Sequence, residues 1–132
     1  MSFLEDLATQ LNTAGVGVYP GTSSTRTICI GEMPDSPDAC ICLYPRPGRS
    51  REPYSGGELA RPELHVEIRA ATYLAAVAKR DAIMTALHAL VNTTINGNLY
   101  VVVRAQGEMT SLGRDGRNRS IVSQNFLIKA AI

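Results

Sequence analysis

The stretch "ELHVEIRAATYLAAVAKRDAIMTALHALV", residues 63–91, decides the fold, because a strand pattern and a helix pattern follow each other in it. In its first part Leu64, Val66 and Ile68 alternate with polar residues, which is typical of a half-buried strand. From Tyr73 to Val91 the apolar residues recur at helical spacing. That apolar stripe consists of Tyr73, Ala76, Val77, Ile83, Met84, Leu87, Leu90 and Val91.

Working outward from this unit, we predict one more helix and several strands. Helical periodicity predicts a short amphipathic helix over residues 3–14. Asn96-Gly97 is a strong hairpin signal before the last two strands. Strands are predicted for "VGVY" (16–19), "TICIG" (27–31), "ACICLY" (39–44), "LYVVVRA" (99–105) and "SIVSQNFLIKAAI" (120–132). Two helices cannot cover both faces of a sheet, so we expect an α+β fold: a mixed, mainly antiparallel sheet with two α-helices packed on one face.

The segments between these elements are rich in charge, proline and glycine. Residues 45–58, "PRPGRSREPYSGGE", show no apolar periodicity and are predicted to form a long flexible loop within a single domain, residues 1–132. The connector "EMPDSPD" (32–38) is acidic and stiffened by prolines. "TSLGRDGRNRS" (110–120) concentrates arginine and glycine between two strands and is predicted to be a charged loop.

Composition limits the possible functions. A net charge of +1 over 132 residues argues against a general nucleic-acid binder, which normally carries a basic excess. No apolar run is long enough for a membrane span, and the acidic N-terminus is unlike a signal peptide. We therefore expect no membrane association and a cytosolic site of synthesis, where Cys29, Cys40 and Cys42 stay reduced.

No residue pattern predicts a catalytic, cofactor or metal site. "GRDGRNRS" lacks the ligand spacing of a calcium loop, and "GVGVYPG" has the wrong spacing and context for a dinucleotide fingerprint. Cys40 and Cys42 lie two apart in a strand, without the turn of a zinc-binding pair, so we interpret the cysteines as structural. A nucleophilic cysteine paired with His65 or His88 stays open as an alternative, since spacing alone does not exclude it.

The second helix raises two further questions. Arg80 lies in the middle of its apolar stripe. Either its stem follows the edge of the core while the guanidinium reaches water, or it forms a buried ion pair, within the chain or across a subunit boundary. On the opposite side, small residues at spacings of three and four are either solvent-facing or allow another backbone to approach closely. These are Ala75, Ala78, Ala82, Ala86 and Ala89.

Four stretches together resemble the minor capsid or tail-terminator proteins of long-tailed bacteriophages. They are "GEMPDSPDACICLY", "RPELHVEIRA", "TINGNLY" and "SLGRDGRNRSIVSQNF", and they extend from about residue 30 to residue 128. The segment 46–58 has no counterpart in the resemblance.

The resemblance implies a tail-terminator-like fold and a non-enzymatic virion protein without cofactors, at the head-proximal end of the tail and assembled in the host cytoplasm. It implies a ring, usually a homohexamer, that caps the tail tube, contacts the tail tube protein and the head-completion (connector) protein, and lets the genome pass without sequence-specific binding. In this interpretation the charged loops are assembly contacts, since arginine forms forked hydrogen bonds with acidic groups. The candidates are Glu32, Asp35, Asp38, Arg46, Arg49, Arg51, Arg80, Arg114, Asp115, Arg117 and Arg119. A small cysteine-dependent enzyme and a nucleic-acid-binding module using the arginine loops are the alternatives.

Overall fold

The computed structural model describes residues 3–19, 26–35 and 37–131, and these form an α+β fold with a mixed six-stranded sheet. The sheet order is β1-β2-β3-β6-β5-β4. Only β1 and β2 are parallel, and the other four pairs of strands are antiparallel. The elements are α1 (Phe3–Thr13), β1 (Ile28–Ile30), β2 (Cys40–Tyr54), β3 (Gly57–Ala70), α2 (Tyr73–His88), β4 (Val91–Ile95), β5 (Asn98–Arg114) and β6 (Ser120–Ala131).

The alternation in residues 63–71 is confirmed, and it places the core. Leu64, Val66 and Ile68 are buried in one apolar cluster with residues of both helices, among them Leu7 and Ile83. Helix α1 contacts α2, β1 and β2, whereas α2 contacts β3, β5 and β6. The polar residues that alternate with the apolar ones on β3 therefore lie on the other face of the sheet.

The prediction of a structureless loop at 45–58 is wrong, because this segment continues β2, turns, and returns as β3. Strand β1 pairs with β2 only from Ile41 to Leu43, so within the described residues the rest of β2 has a strand neighbour on one side only. Proline is tolerated in an edge strand, because an N–H group on the open side of that strand has no strand to donate to. The prolines that suggested a loop, Pro45, Pro47 and Pro53, thus lie in an edge strand with two register shifts.

Other boundaries differ from prediction in smaller ways. Residues 16–19 form no strand, although the Val18 carbonyl accepts hydrogen bonds from the backbone N–H groups of Thr27 and Ile28. Helix α2 ends at His88, and Val91 opens β4 instead of closing the helix. Strand β5 extends to Arg114 and β6 begins at Ser120, so of the predicted charged loop only residues 115–119 lie outside the strands.

The faces of α2 also differ in part from the predicted stripe. Ala76, Ile83 and Leu87 are buried as expected, but Tyr73 and Val91 are exposed. Of the small residues on the opposite side, Ala86 is buried, and Ala75, Ala78, Ala82 and Ala89 are exposed. None of the helices in the described part of the chain is long and apolar enough to cross a membrane.

The parallel pairing of β1 with β2 positions the acidic connector. Two adjacent parallel strands start at the same end of the sheet, so the chain must return along the sheet between them. Residues 31–39 make this return, and Ser36 among them lies outside the described residues. The return brings the connector to the start of β2, where Cys40 pairs with Arg69 of β3 and Arg69 with Ile121 of β6.

Candidate assembly interface

The loop between β5 and β6, residues 115–119, is organised around the Asp115 carboxylate. Its Oδ1 atom accepts hydrogen bonds from the backbone N–H groups of Arg117 and Arg119, at 3.0 and 2.9 Å. The backbone closes the same turn, because the Asp115 N–H donates to the Arg119 carbonyl at 2.9 Å. Asn118 adopts a positive φ of 63°, which asparagine tolerates better than most residues. The loop is therefore an ordered turn.

Arg119 points its guanidinium inward from this turn onto the acidic connector. Its side chain is only 7% exposed. Nη1 lies 3.0 Å from Asp38 Oδ1 and Nη2 lies 3.1 Å from Asp35 Oδ1, while Nε donates to Asp115 Oδ2 at 2.8 Å. Nη1 also donates to the Asp35 backbone carbonyl at 2.6 Å. One guanidinium thus links residues that are up to 84 positions apart.

A second buried arginine holds the connector from the sheet. Arg69 of β3 is 4% exposed, and it donates from Nη2 to the Pro37 carbonyl at 2.6 Å and from Nε to the Asp38 carbonyl at 3.1 Å. Arginine suits this position because its planar group offers several donors in fixed directions. The path of the connector is therefore fixed by backbone carbonyls as well as by carboxylates.

Outside the buried contacts, an exposed ion pair completes what we call the Arg119 cluster, comprising Asp35, Asp38, Asp115, Arg117 and Arg119. Arg117 Nη2 lies 2.8 Å from Asp35 Oδ2, and these side chains are 64% and 68% exposed. The Asp38 side chain is 71% exposed on its outer side. The cluster therefore has a buried cationic centre and an outer surface of carboxylates and one guanidinium.

The charges of the cluster stabilise one another. Hydrogen bonds from the backbone N–H groups of Arg119 and Arg117, and the Arg119 guanidinium, lower the pKa of Asp115 below its ordinary value. Burial disfavours the charged form of Arg119, but its hydrogen bonds to Asp115, Asp38 and Asp35 outweigh this effect and raise its pKa. Both shifts favour the charged forms of Asp115 and Arg119.

This geometry changes the interpretation of the two charged loops. The sequence predicted that the acidic connector and the arginine-rich loop both serve as contacts with other chains. Asp35 and Asp38 instead contact Arg117 and Arg119 within the same chain. The expectation that Arg114 lies outside the strands is also wrong, because it is the last residue of β5. Arg114 and Glu32 are exposed, and Arg114 Nη1, next to Asp115 in the chain, donates to the Asn118 carbonyl at 2.7 Å.

The arginines predicted for the 45–58 loop lie on the hairpin of β2 and β3. Arg46 is 3.9 Å from Glu63 on the neighbouring strand, and Arg49 lies opposite Arg61. Arg49 and Arg51 are exposed. These residues are far along the sheet from the Arg119 cluster, so the two groups of arginines form separate charged surfaces.

Arg80 follows neither of the two predictions for it completely. Its side chain is 19% exposed, and its Nη2 atom lies 3.2 Å from the exposed Asp81 carboxylate. Nη1 contacts the Met84 sulfur at 3.1 Å, and the buried Nε atom has no hydrogen-bond partner among the described residues. The stem is buried and the ion pair lies at the surface, within one chain.

The three cysteines form a small buried cluster on β1 and β2. Cys29 Sγ lies 3.6 Å from Cys40 Sγ, and Met33 and Tyr44 pack against the cluster. Burial raises the pKa of the Cys40 thiol to about 12, and it also raises the pKa of Cys42. A nucleophilic cysteine needs a lowered pKa and access to substrate, so these thiols have the properties of packing residues. Within the described residues no group of three or more His, Cys, Asp or Glu side chains could hold a metal ion.

Sequence reasoning missed two buried charged residues, Arg69 and Asp6. Asp6 of α1 is fully buried, and its carboxylate accepts hydrogen bonds from Asn96, Asn98 and Tyr100 at 2.9, 2.8 and 2.5 Å. The asparagines beside Gly97 were interpreted only as turn residues. An acid on the inner side of α1 next to Leu7 was the available signal, because such a position needs polar partners elsewhere in the chain.

Residues 10–132 match the family described as bacteriophage tail terminator protein. The chain belongs to the bacteriophage tail terminator family. Family membership confirms the resemblance found in the sequence and makes the chain a structural phage tail protein and a virion component.

Solved structures share the fold. The chain is similar to a chain from the virion of a native gene transfer agent particle, with a TM-score of 0.65 and 14% identity over 98% of this chain and 94% of that one. A second solved structure is similar with a TM-score of 0.50 and 15% identity, over 100% of this chain and 97% of that one. No curated protein matches the sequence significantly.

Proposed function

We propose that this protein forms a closed homohexameric ring on the head-proximal end of a siphophage tail and joins the tail to the head. One side of the ring stops growth of the tail tube and the other contacts the head-completion protein. The observation that carries the proposal is the match to the tail terminator family over residues 10–132. A ring follows from head-to-tail contacts between identical copies when the rotation closes.

The distribution of surfaces supports assembly as the role of this single domain. We infer that both helices cover one face of the sheet, which leaves the other face and the loops for neighbouring chains. Arg114 and the outer carboxylates of the Arg119 cluster lie together at one end, and the arginines of the β2–β3 hairpin lie apart from them. Two separate charged surfaces suit a ring that contacts different proteins on its two sides, with the genome passing through the middle.

The proposed role is structural and non-enzymatic. The raised pKa values of Cys40 and Cys42 disfavour the alternative of a cysteine-dependent enzyme. The alternative of a nucleic-acid-binding module loses support because Arg117 and Arg119 are engaged by carboxylates of the same chain. Assembly in the host cytoplasm and incorporation into the virion complete the proposal.

The proposal is tested by mixing the purified protein with tail tubes assembled from the tail tube protein of the same phage. We expect tubes of fixed length that carry one added ring at one end, visible by electron microscopy, and no further growth when tube subunits are added. The protein alone at high concentration should show a hexamer mass by light scattering, or form the hexamer on the tube end. Two results would contradict the proposal. One is that the protein is bound to the tube end as a monomer, and the other is that tubes keep growing in its presence.

A further inference from the structure

At the end of the sheet remote from the Arg119 cluster, a groove combines cationic side chains with an apolar floor. Its volume is about 180 Å³. It opens between the β2–β3 hairpin and strands β5 and β6, and Pro62, Val102, Leu127 and Ile128 contribute apolar surface. The charged side chains that line it are Arg49, Arg61, Arg104 and Lys129.

The strand register explains why these cations converge. Arg49 pairs with Arg61 across β2 and β3, Val102 pairs with Lys129, and Arg104 pairs with Leu127 across β5 and β6. Paired residues in antiparallel strands point to the same face. Like charges that face each other repel, so the arrangement is unfavourable unless acidic groups lie between them.

A carboxylate of the same chain already lies between two of these cations. Glu52 Oε2 lies 3.6 Å from Arg61 Nη1 and 3.2 Å from Lys129 Nζ, and it bridges two of the four cations. Arg49 and Arg104 have no carboxylate within ion-pair distance among the described residues. Arg61 and Lys129 therefore show how a carboxylate is bound in this groove, whereas Arg49 and Arg104 lack one.

We propose that this groove binds an extended acidic segment of a partner protein. A carboxylate of the segment contacts Arg49 and Arg104, and an adjacent apolar side chain lies on Val102 and Leu127. This rests on the proposed role as a tail structural protein and names the chemistry of one partner. The volume favours one or two side chains over a cofactor, since small-molecule sites are usually about 300 to 1,000 Å³.

The apolar floor favours a protein segment over nucleic acid. A surface for phosphates needs positive charge, and single-strand binders add aromatic side chains on which bases stack. The lining of this groove contains no aromatic residue, and its apolar residues are aliphatic or proline. Protein interfaces combine an apolar centre with arginine, as this groove does.

The test uses a fluorescein-labelled peptide of four Glu-Val repeats and measures its binding to the full chain by fluorescence anisotropy at low salt. Arg49→Gln and Arg104→Gln should each weaken binding about threefold to fivefold, in line with partly exposed charge pairs. Arg26→Gln is the control, because Arg26 is a partly exposed arginine outside both the groove lining and the candidate assembly contacts, and it should leave binding unchanged. A Lys-Val peptide of equal length should not bind.

Three results would overturn the inference. One is absence of peptide binding by the wild-type protein. The second is equal weakening by Arg26→Gln, which would indicate general charge attraction. The third is tighter binding of a single-stranded oligonucleotide of equal negative charge, which would point to phosphate as the ligand. Ring formation on tail tubes is measured separately, so a failed peptide experiment with normal capping refutes only this inference.

Discussion

At the scale of single residues, Arg119 makes the most buried contacts of the arginines in the Arg119 cluster. It contacts Asp115 of the β5–β6 turn and Asp35 and Asp38 of the connector before β2, and its side chain is almost fully buried. Arg117, two positions earlier, makes one ion pair with an exposed aspartate. Arg117 and Arg119 lie two positions apart in the same loop, but they therefore contribute differently to folding.

The difference predicts unequal effects of two identical substitutions. Arg119→Gln should lower the melting temperature clearly, because it leaves three carboxylates close together without their shared cation. Arg117→Gln should change the free energy of unfolding by less than about 0.5 kcal/mol, as expected for an exposed pair. Thermal and urea unfolding of both variants decide this, and equal effects would show that Arg119 is not the centre of the cluster.

The lowered pKa of Asp115 predicts a specific response to acid. Its folded-state pKa lies below the ordinary 3.8, so the charged form stabilises the fold above that value, and this contribution is lost as the pH falls through the folded pKa. Wild type should therefore be more stable than Asp115→Asn at pH 6, and the gap should close as the pH falls below about 4. Urea unfolding at several pH values measures the gap, and a gap independent of pH would refute the assignment.

At the scale of elements, α1 and the β4–β5 hairpin are joined by a buried polar contact. Asp6 accepts hydrogen bonds from side chains that lie more than 90 residues further along the chain. Burial and the Asp6 carboxylate raise the pKa of the Tyr100 hydroxyl well above its ordinary value, so Tyr100 stays a donor. The contact fixes how the first helix sits relative to the hairpin.

Removing this carboxylate should therefore be costly. Asp6→Ala leaves the hydroxyl of Tyr100 and two amide groups without their acceptor, and we expect a loss of about 3 kcal/mol in the free energy of unfolding. Asp81→Ala, which removes an exposed acid from α2, is the control and should cost less than about 0.5 kcal/mol. Urea unfolding compares them. A small effect of Asp6→Ala would mean that water replaces the carboxylate.

At the scale of the whole molecule, the proposed ring must form through surfaces that folding leaves free. Asp35 and Asp38 are partly engaged by Arg117 and Arg119, so their capacity for further pairing is reduced. Arg114 is exposed at the end of β5, and its guanidinium donates a hydrogen bond to the Asn118 carbonyl. Of the arginines at this end of the sheet, Arg114 is therefore the one whose charge can be reversed with the least effect on folding.

We expect Arg114→Glu to keep the fold and to weaken tail capping. Its melting temperature should stay close to that of wild type, while capping of tail tubes falls and raised salt weakens wild-type capping in the same direction. Arg114→Lys keeps the charge and should retain capping. Electron microscopy of tubes mixed with each variant measures the result. Normal capping by Arg114→Glu would remove Arg114 from the assembly contacts.

Local patterns in the sequence determined the elements that depend on local interactions. The alternation of Leu64, Val66 and Ile68 and the helical periodicity of residues 3–14 and 73–91 predicted a strand and two helices at their positions. Asn96 and Gly97 adopt the positive φ angles of 51° and 82° that the hairpin signal requires. Such patterns suffice because side-chain period and turn geometry depend on neighbouring residues alone.

The tertiary structure decided the rest, because it depends on which distant segments pair. Residues 45–58 look like a loop by composition, and only the position of β2 at the sheet edge makes their prolines compatible with a strand. The sequence likewise contains the aspartates and arginines of the Arg119 cluster without showing whether they meet within one chain or between two. The return of the chain between the parallel strands β1 and β2 places Asp35 and Asp38 beside Arg119 of the same chain. Their carboxylates compensate the charge of the buried guanidinium, which would otherwise be costly to bury.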